Sequence, residues 1–283
     1  MSRAPAPDGA PRPRPSCPRT AVRVRGVASA AGPPLLAAGV LAASALPPPA
    51  ASLVPVLLFT GAALLVTGAA LAAVPTASGR AARPVRPPVE GRWTVLNSPA
   101  DRVPSHGTHA WGQTYAVDLV HDPADGGRPA FGAGRAFRPP ADFPAYGRPL
   151  VAPDDAVVVT VRDGVRDHRS RSTWAALLLM AAEAPFREAG GARRVLGNHV
   201  VLDLGDGVYA VLAHLRRGSA VVRPGQRVRR GELLARCGNS GNSGEPHLHF
   251  QLMDRPAPRF AAGVPFVFAG GGDLPGSGGA VDV

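Results

Sequence analysis

The chain has 283 residues and a formal net charge of +11 at pH 7, a length that accommodates one good-sized domain with appended segments. All 31 of its basic residues are arginines, which are scattered along the chain, and aromatic residues make up only 5% of it, so the composition does not indicate a nucleic-acid-binding protein. Two cysteines, Cys17 and Cys237, are too few for a disulfide framework or a cysteine-ligated metal site, and we expect both to be unpaired thiols.

The N-terminal part of the chain predicts a basic tail followed by a membrane region. Residues 1–25 are rich in proline and arginine and offer little apolar surface, which predicts disorder. Residues 52–74 carry no charge and are long enough to span a bilayer as a helix. Residues 26–46 are also uncharged, but they are rich in alanine and interrupted by a Pro-Pro pair, so they are the weaker candidate. We therefore predict one or two transmembrane spans within residues 26–74.

The orientation of these spans is left open by the charge pattern. The arginines of the tail favour a cytoplasmic N-terminus. One span would then place the rest of the chain outside, whereas two spans would return it to the cytoplasm, which Arg80, Arg83 and Arg86 also favour. The basic region is too long and the apolar stretch too extended for a cleaved signal peptide.

After a Pro/Arg-rich linker over residues 75–92, residues 93–268 read as a mainly β domain. Apolar runs bounded by Gly, Asp and Pro predict short strands, which is typical of an antiparallel sheet or sandwich; the clearest lie within residues 150–164, 195–204, 208–215 and 227–237. Two insertions interrupt the strands: residues 122–149 predict a Pro/Gly-rich loop, and residues 172–189 predict a helix that packs on the sheet, with a lid or a membrane contact as the alternative. Residues 269–283 form a Gly-rich tail that we expect to be disordered.

The pair His247 and His249 is the most informative feature of the domain. A Gly/Asn/Ser turn precedes it and a short apolar strand follows, so both imidazoles project from one face of that strand. Two such imidazoles form half of a zinc site, and a zinc hydrolase needs three protein ligands with one position left for water. Candidates for the missing ligand lie within residues 105–119 and include His106, His109 and Asp118. Asp118 stands in an apolar strand pattern, and a carboxylate there needs a partner or a metal if it is buried.

Several further blocks stand in the same order and spacing as those of one known family. Over residues 95–253 the sequence resembles the LytM/lysostaphin-type zinc metallopeptidases, peptidase family M23; the blocks that carry this resemblance are residues 197–201, 213–215, 222–231, 238–243 and 246–250.

The resemblance implies a mostly antiparallel β fold with a groove, Zn²⁺ as cofactor, and hydrolysis of peptide cross-links in bacterial peptidoglycan. It implies that Asp118 and His249 bind the metal, and that His214 and His247 are catalytic, activating water or stabilising the oxyanion. For the remaining ligand, many members use a short His-x-x-x-Asp motif. We prefer His109 to His106, because its shorter separation from Asp118 makes closure of the loop between them less costly in entropy.

Two readings of the domain follow from this resemblance. The first is a membrane-anchored zinc endopeptidase, whose domain lies outside the cytoplasm and acts on peptidoglycan peptides. The second is a catalytically inactive M23-like domain that binds cell-wall peptides or regulates another wall hydrolase. A biotinyl- or lipoyl-type carrier, which the glycine spacing of residues 222–231 would also suit, needs a lysine that this chain lacks.

Overall fold

The computed structural model describes residues 19–47, 50–76, 78–121, 123, 126–270 and 273–283. It begins with two antiparallel helices, α1 (Arg19–Ala45) and α2 (Leu53–Ala73), both long and apolar enough to cross a membrane. Residues 19–25, predicted to be part of a disordered tail, form the first turns of α1. The rest of that predicted tail, including Cys17, lies outside the described residues.

The first turns of α1 are ordered because they pack on the β domain. Val22 and Arg25 are buried, and the Arg25 guanidinium donates hydrogen bonds to the Thr76 hydroxyl (2.9 Å) and to the Ala261 carbonyl (3.1 Å). Tertiary contacts therefore order a segment whose composition alone predicts no structure.

The β domain contains short strands and two further helices, α3 (Trp174–Ala189) and α4 (Ala192–Val195). Its strands are β1 (Arg83–Val85), β2 (Arg92–Asn97), β3 (Val117–Val120), β4 (Pro149–Val151), β5 (Ala156–Arg162), β6 (Asn198–Asp203), β7 (Tyr209–Leu215), β8 (Arg227–Val228), β9 (Leu233–Arg236), β10 (Leu248–Met253), β11 (Gly263–Val264), β12 (Phe266–Phe268) and β13 (Ala280–Asp282). Short 3-10 turns lie at Ala110–Tyr115, Pro140–Asp142 and Pro258–Phe260.

One large antiparallel sheet organises the domain, as the sequence predicts. Its strand order is β13-β2-β3-β10-β7-β6-β5-β8, with β11 added beside β10. Two small pairs complete the structure: β4 with β9, antiparallel, and β1 with β12, parallel. The mainly β, antiparallel fold class is thereby confirmed.

The two faces of strand β10 have different roles. Leu248, Phe250 and Leu252 point into the main hydrophobic core. His249 alternates with them and therefore points to the opposite face, where a smaller apolar cluster contains Trp111 and Met253. The period-two pattern of this strand thus separates the core from the candidate site.

Three predicted segments differ from the observed structure. The predicted strand over residues 150–164 is divided into β4 and β5 at Pro153, which lacks the N–H that a ladder requires. The linker over residues 75–92 contributes Val85 and Val89 to the main core. The tail over residues 269–283 ends in β13, which pairs with β2 and buries Val281. The latter two segments become ordered because the domain supplies partners for them.

The helical insertion is close to its prediction in extent. Helix α3 begins after Thr173, whose hydroxyl accepts a hydrogen bond from the Ala176 N–H (3.4 Å), an N-terminal cap. Its main packing partners are α1 and α4, not the sheet on which the sequence predicted it to pack.

Candidate active site

The sheet places the candidate residues in one row across neighbouring strands. His249 on β10 lies directly opposite Asp118 on β3, and Asn97 on β2 lies next to Asp118 on the other side. Cross-strand neighbours of this kind have Cβ atoms about 5 Å apart, so their side chains meet. Backbone pairing over a sequence separation of 131 residues thus brings the second histidine of the His-x-His pair to the carboxylate.

Asp118 is the centre of the site. Its Oδ2 accepts a hydrogen bond from the Asn97 amide (2.7 Å) and lies 2.9 Å from His106 Nε2. Its Oδ1 lies 3.0 Å from His249 Nδ1 and 3.5 Å from His247 Nε2. Burial alone would raise the pKa of this carboxyl group, but the neighbouring His106 and His247 outweigh burial and hold its pKa well below the usual value. Asp118 is therefore a carboxylate at neutral pH.

The hydrogen bonds of Gln251 determine which nitrogen of His249 carries a proton. The Gln251 amide nitrogen donates to the Trp111 carbonyl (2.8 Å), so its Oε1 must face His249 Nε2, at 2.9 Å. His249 Nε2 therefore carries the hydrogen. Burial lowers the pKa of His249, although the nearby Asp118 opposes this effect, so the ring is neutral near pH 7 and its Nδ1 faces Asp118 with a lone pair.

Ser105 holds His106 in an equivalent way. The Ser105 hydroxyl donates to the Ala116 carbonyl (2.7 Å) and so offers an oxygen lone pair to His106 Nδ1, at 3.0 Å. In this tautomer Nδ1 carries the hydrogen, and the lone pair of Nε2 points at Asp118.

When neither His106 Nε2 nor His249 Nδ1 carries a proton, these contacts place lone pairs against the carboxylate, an arrangement that a metal cation between them satisfies. The ligand atoms of His106, Asp118 and His249 all lie within 4.8 Å of one another. Two imidazole nitrogens and one carboxylate oxygen are the donor set of catalytic zinc sites, which keep a fourth position open. The residues present thus fit a zinc ion.

His109, the ligand preferred from the sequence, is not brought to this group, and this placement corrects that preference. Its Nδ1 lies 3.1 Å from the Thr114 hydroxyl, and its backbone N–H donates to Ala72 at the end of α2. The 3-10 turn after it contains two consecutive residues with positive φ, Trp111 and Gly112, which redirect the chain. His106 reaches Asp118 because Ser105 folds back on Thr114 and Ala116. Loop length alone is therefore a poor guide to the ligand.

The two histidines expected to be catalytic lie beside the cluster. The His214 ring centroid is 4.8 Å from that of His247 and 5.7 Å from that of His249. His214 Nδ1 donates to the Ser240 carbonyl and His247 Nδ1 to the Glu245 carbonyl, both at 2.8 Å. In each ring Nε2 is thus the nitrogen left to face the site.

A β-bulge places His214 in the site. Its backbone has φ of 61°, which non-glycine residues rarely adopt, and the register between β6 and β7 shifts next to it. Ala213 points to the smaller apolar cluster, yet Leu215 returns to the main core, so His214 is the extra residue. A strained bulge residue in such a site is typical of a functional position.

Burial and charge act differently on the pKa values of these two histidines. Burial, together with the nearby His247 and His249, holds the pKa of His214 well below its usual value. Burial also lowers the pKa of His247, but the Asp118 carboxylate outweighs it, so the net shift for His247 is upward. His214 is therefore a neutral imidazole, and the neighbouring His247 gains a proton more readily.

The roles of Asn97 and Ser105 were not predicted from the sequence. Both are polar residues next to strands or turns, a setting in which most such residues satisfy local hydrogen bonds. Only the fold shows that they contact Asp118 and His106. The contact between Gln251 and His249 is likewise visible only in the structure.

The fold and the cluster together define a mainly β protein with a candidate metal centre on one face of its sheet. Residues 181–259 match the sequence profile of Peptidase family M23, which confirms the resemblance for this segment. The matched segment contains His214, His247 and His249, whereas His106 and Asp118 precede it. No curated protein matches the chain in sequence.

Similar solved structures include three peptidases. The catalytic domain of lysostaphin from Staphylococcus simulans is 20% identical (TM-score 0.30), and the match covers 53% of this chain and 74% of that one. A putative peptidase M23 from Pseudomonas aeruginosa is 17% identical (TM-score 0.33), with 66% and 53% covered. A zinc-containing peptidase from Vibrio cholerae is 20% identical (TM-score 0.27), with 53% and 50% covered. The chain thus spans about half the length of the last two.

Proposed function

We propose that this chain is a membrane-anchored, zinc-dependent endopeptidase that hydrolyses peptide cross-links of bacterial peptidoglycan. His106, Asp118 and His249 are the metal ligands, and His214 and His247 are the catalytic histidines. The observation that carries the proposal is the convergence of two imidazole nitrogens on one buried carboxylate, with all three ligand atoms within 4.8 Å of one another. The M23 match over residues 181–259 supports the choice of a peptidase.

The chemistry divides between the ion and the two histidines. A zinc ion supplies Lewis acidity, which polarises the scissile carbonyl and makes water a nucleophile near neutral pH. His247 accepts the proton of the attacking water and returns it to the departing amine, while His214 donates a hydrogen bond to the developing oxyanion. The hydroxyl of water thus ends on the carbonyl carbon and its proton on the new amino group.

The location follows from the substrate. Peptidoglycan lies outside the cytoplasmic membrane, so the β domain must lie there too, anchored by α1 and α2. Both helices have the length and composition of membrane spans.

Metal content of single-site variants tests the ligand set. In the full chain purified in detergent, we expect His106→Ala to lose bound zinc together with peptide release from purified cell wall. His109→Ala is the control, because His109 lies three positions away and contacts Thr114 instead of the cluster, and it should keep both. Replacing His247 should leave zinc in place and lower turnover by about 10²–10⁴-fold.

Two results would contradict this assignment. Full zinc occupancy in His106→Ala would exclude His106 as a ligand, and loss of zinc in His109→Ala would restore the other histidine. If a zinc-loaded chain binds cell wall without releasing peptide, the alternative of a non-catalytic wall-binding domain is correct.

A further inference from the structure

The cleft that contains the candidate metal centre extends between the N-terminal helices. It has a volume of about 820 Å³, and His106, Asp118 and His249 line one end of it. Its other walls are built by the two candidate membrane spans and by α3, through apolar residues such as Pro33, Leu65, Ala69, Leu177, Met180 and Ala184. A molecule that fills the cleft therefore contacts the His/Asp cluster at one end and apolar helices at the other.

Helix α3 is apolar on both of its faces. Leu177, Met180 and Ala184 face the cleft. Trp174, Leu178 and Phe186 follow one another at helical spacing on the outward face and are 74%, 73% and 76% exposed. A helix with two apolar faces is typical of one surrounded by protein or lipid, not by water. Helix α3 also packs against α1, one of the two candidate spans.

The lining of the cleft includes a buried guanidinium with one unpaired nitrogen. Arg171 lines the cleft, is only 9% exposed and forms an ion pair with Glu183 through Nη2 (2.9 Å). Its Nη1 is buried and has no hydrogen-bond partner among the described residues. A buried guanidinium with a free donor suits an anionic group such as a peptide carboxylate.

The size of the cleft favours a hydrocarbon chain over a protein helix at its apolar end. A transmembrane helix is about 10–12 Å across, so fewer than about two of its turns would fill this volume. Small-molecule sites have volumes of roughly 300–1,000 Å³, and the observed value lies in that range.

From these observations we propose that the cleft binds a lipid-linked peptide, with its hydrocarbon chain between α1, α2 and α3 and its peptide at the His/Asp cluster. This inference rests on the proposed peptidase function. The substrate is then a peptide that is still attached to a membrane lipid. Cleavage then takes place at the membrane surface, next to the spans.

Photo-crosslinking tests where the chain lies without requiring hydrolysis. The probe is a soluble cell-wall peptide acylated with a hexadecanoyl chain that carries a diazirine, added to the full chain in phospholipid nanodiscs. We expect adducts on cleft residues of α2 and α3, which an excess of the same acylated peptide without diazirine removes and free hexadecanoic acid does not.

Two neighbouring alanines of α2 provide matched variants. Ala69 lines the cleft, whereas Ala70 is exposed and lies outside it. Ala69→Trp should reduce the competed adducts by about tenfold, equivalent to roughly 1.4 kcal/mol of binding, and Ala70→Trp should not. Ala181→Trp and Ala182→Trp form the same pair on α3.

Hydrolysis of the two peptides separates this inference from the proposed function. The acylated peptide should be cleaved faster than the unacylated one; Ala69→Trp should remove this difference, and Ala70→Trp, outside the cleft, should retain it. Adducts confined to outward residues, insensitive to competitor and to Ala69→Trp, would overturn the lipid-linked substrate. If neither peptide is cleaved but the competed adducts form, the proposed peptidase activity fails while the chain-binding cleft stands.

Discussion

Two residues that cannot bind the ion determine which nitrogen of each histidine faces it. Gln251 fixes the hydrogen of His249 on Nε2, and Ser105 fixes that of His106 on Nδ1. In both cases a backbone carbonyl, of Trp111 or Ala116, sets the direction of the hydrogen bond. These contacts therefore orient both rings towards Asp118 before any ion binds, which reduces the reorganisation that binding requires.

Removing one of these contacts should weaken zinc binding without removing a ligand. Gln251→Leu retains the approximate volume of the side chain but leaves His249 free to rotate and to exchange tautomers. We expect the affinity for zinc to fall by about 10–100-fold, as is typical for partners of metal-binding histidines. Competition with a chromophoric chelator measures this change.

Gln226→Leu is the control for that substitution, because Gln226 bonds to Arg223 and Glu232, away from the cluster. Its zinc affinity should equal that of the unmodified chain. Unchanged affinity in Gln251→Leu would show that Gln251 does not hold His249 in its binding orientation.

At this scale the sequence predicts only part of the site. The shared face of His247 and His249 follows from the period of a strand, and no other information is needed. The third ligand depends on the 3-10 turn at Ala110–Tyr115, where Trp111 adopts a positive φ that its residue type does not predict. The choice between His106 and His109 therefore depends on tertiary packing.

Secondary-structure elements were predicted well where the local sequence alone contains a periodic or capping pattern. Strand β10 alternates apolar and polar residues, and α3 has a capping threonine followed by a long apolar run. Strand β13 has three residues in a Gly-rich tail and exists because β2 offers it an edge to pair with. Elements that are stabilised mainly by pairing with another strand have no sequence pattern of their own from which they can be predicted.

The two N-terminal helices pack through glycines spaced seven residues apart. Gly32 on α1 faces Gly61 on α2, whereas Gly39 packs against Leu58 and Gly68 against Ala28 and Ser29; this is the close approach that small residues permit between apolar helices. The contact is tightest at Gly61, where an added Cβ would lie 2.7 Å from the Leu36 backbone nitrogen. At Gly68 the nearest atom would be at 3.4 Å, an ordinary contact distance.

Gly61→Ala should therefore separate the helices, whereas Gly68→Ala should not. Because the obstructing atoms at Gly61 belong to the backbone, relief requires movement of a whole helix, and we expect a loss of about 1–3 kcal/mol. Thermal unfolding of the full chain in detergent measures the difference between the two variants. Equal midpoints would mean that the helices do not pack through Gly61.

The hairpin of α1 and α2 constrains the topology of the whole molecule. Its connection over residues 46–52 carries no charge, while arginines lie at the opposite end, before α1 and after α2. The first turns of α1 also pack on the β domain through Arg25. If α1 and α2 span the membrane, the start of α1 and the β domain therefore lie on the same side of it.

The charge pattern and the proposed function predict opposite locations for the β domain. The positive-inside rule favours the arginine-rich end in the cytoplasm, whereas a substrate in the cell wall requires it outside. We expect function to prevail. In intact cells carrying Cys17→Ser, a membrane-impermeant maleimide should label Ala100→Cys, on the exposed surface of the domain, and should not label Ser52→Cys, in the connection. Native Cys237 is buried, and burial raises its pKa, so it should not react.

Permeabilised cells provide the control, since both cysteines should then be labelled. If intact cells label Ser52→Cys and not Ala100→Cys, the domain lies in the cytoplasm and the cell wall is excluded as its substrate. The His/Asp cluster and the cleft between the helices do not depend on that outcome, because each is defined by contacts within the chain. A cytoplasmic domain would then have to act on peptides reaching the inner surface of the membrane, and the lipid-linked class would remain the one that fits the cleft.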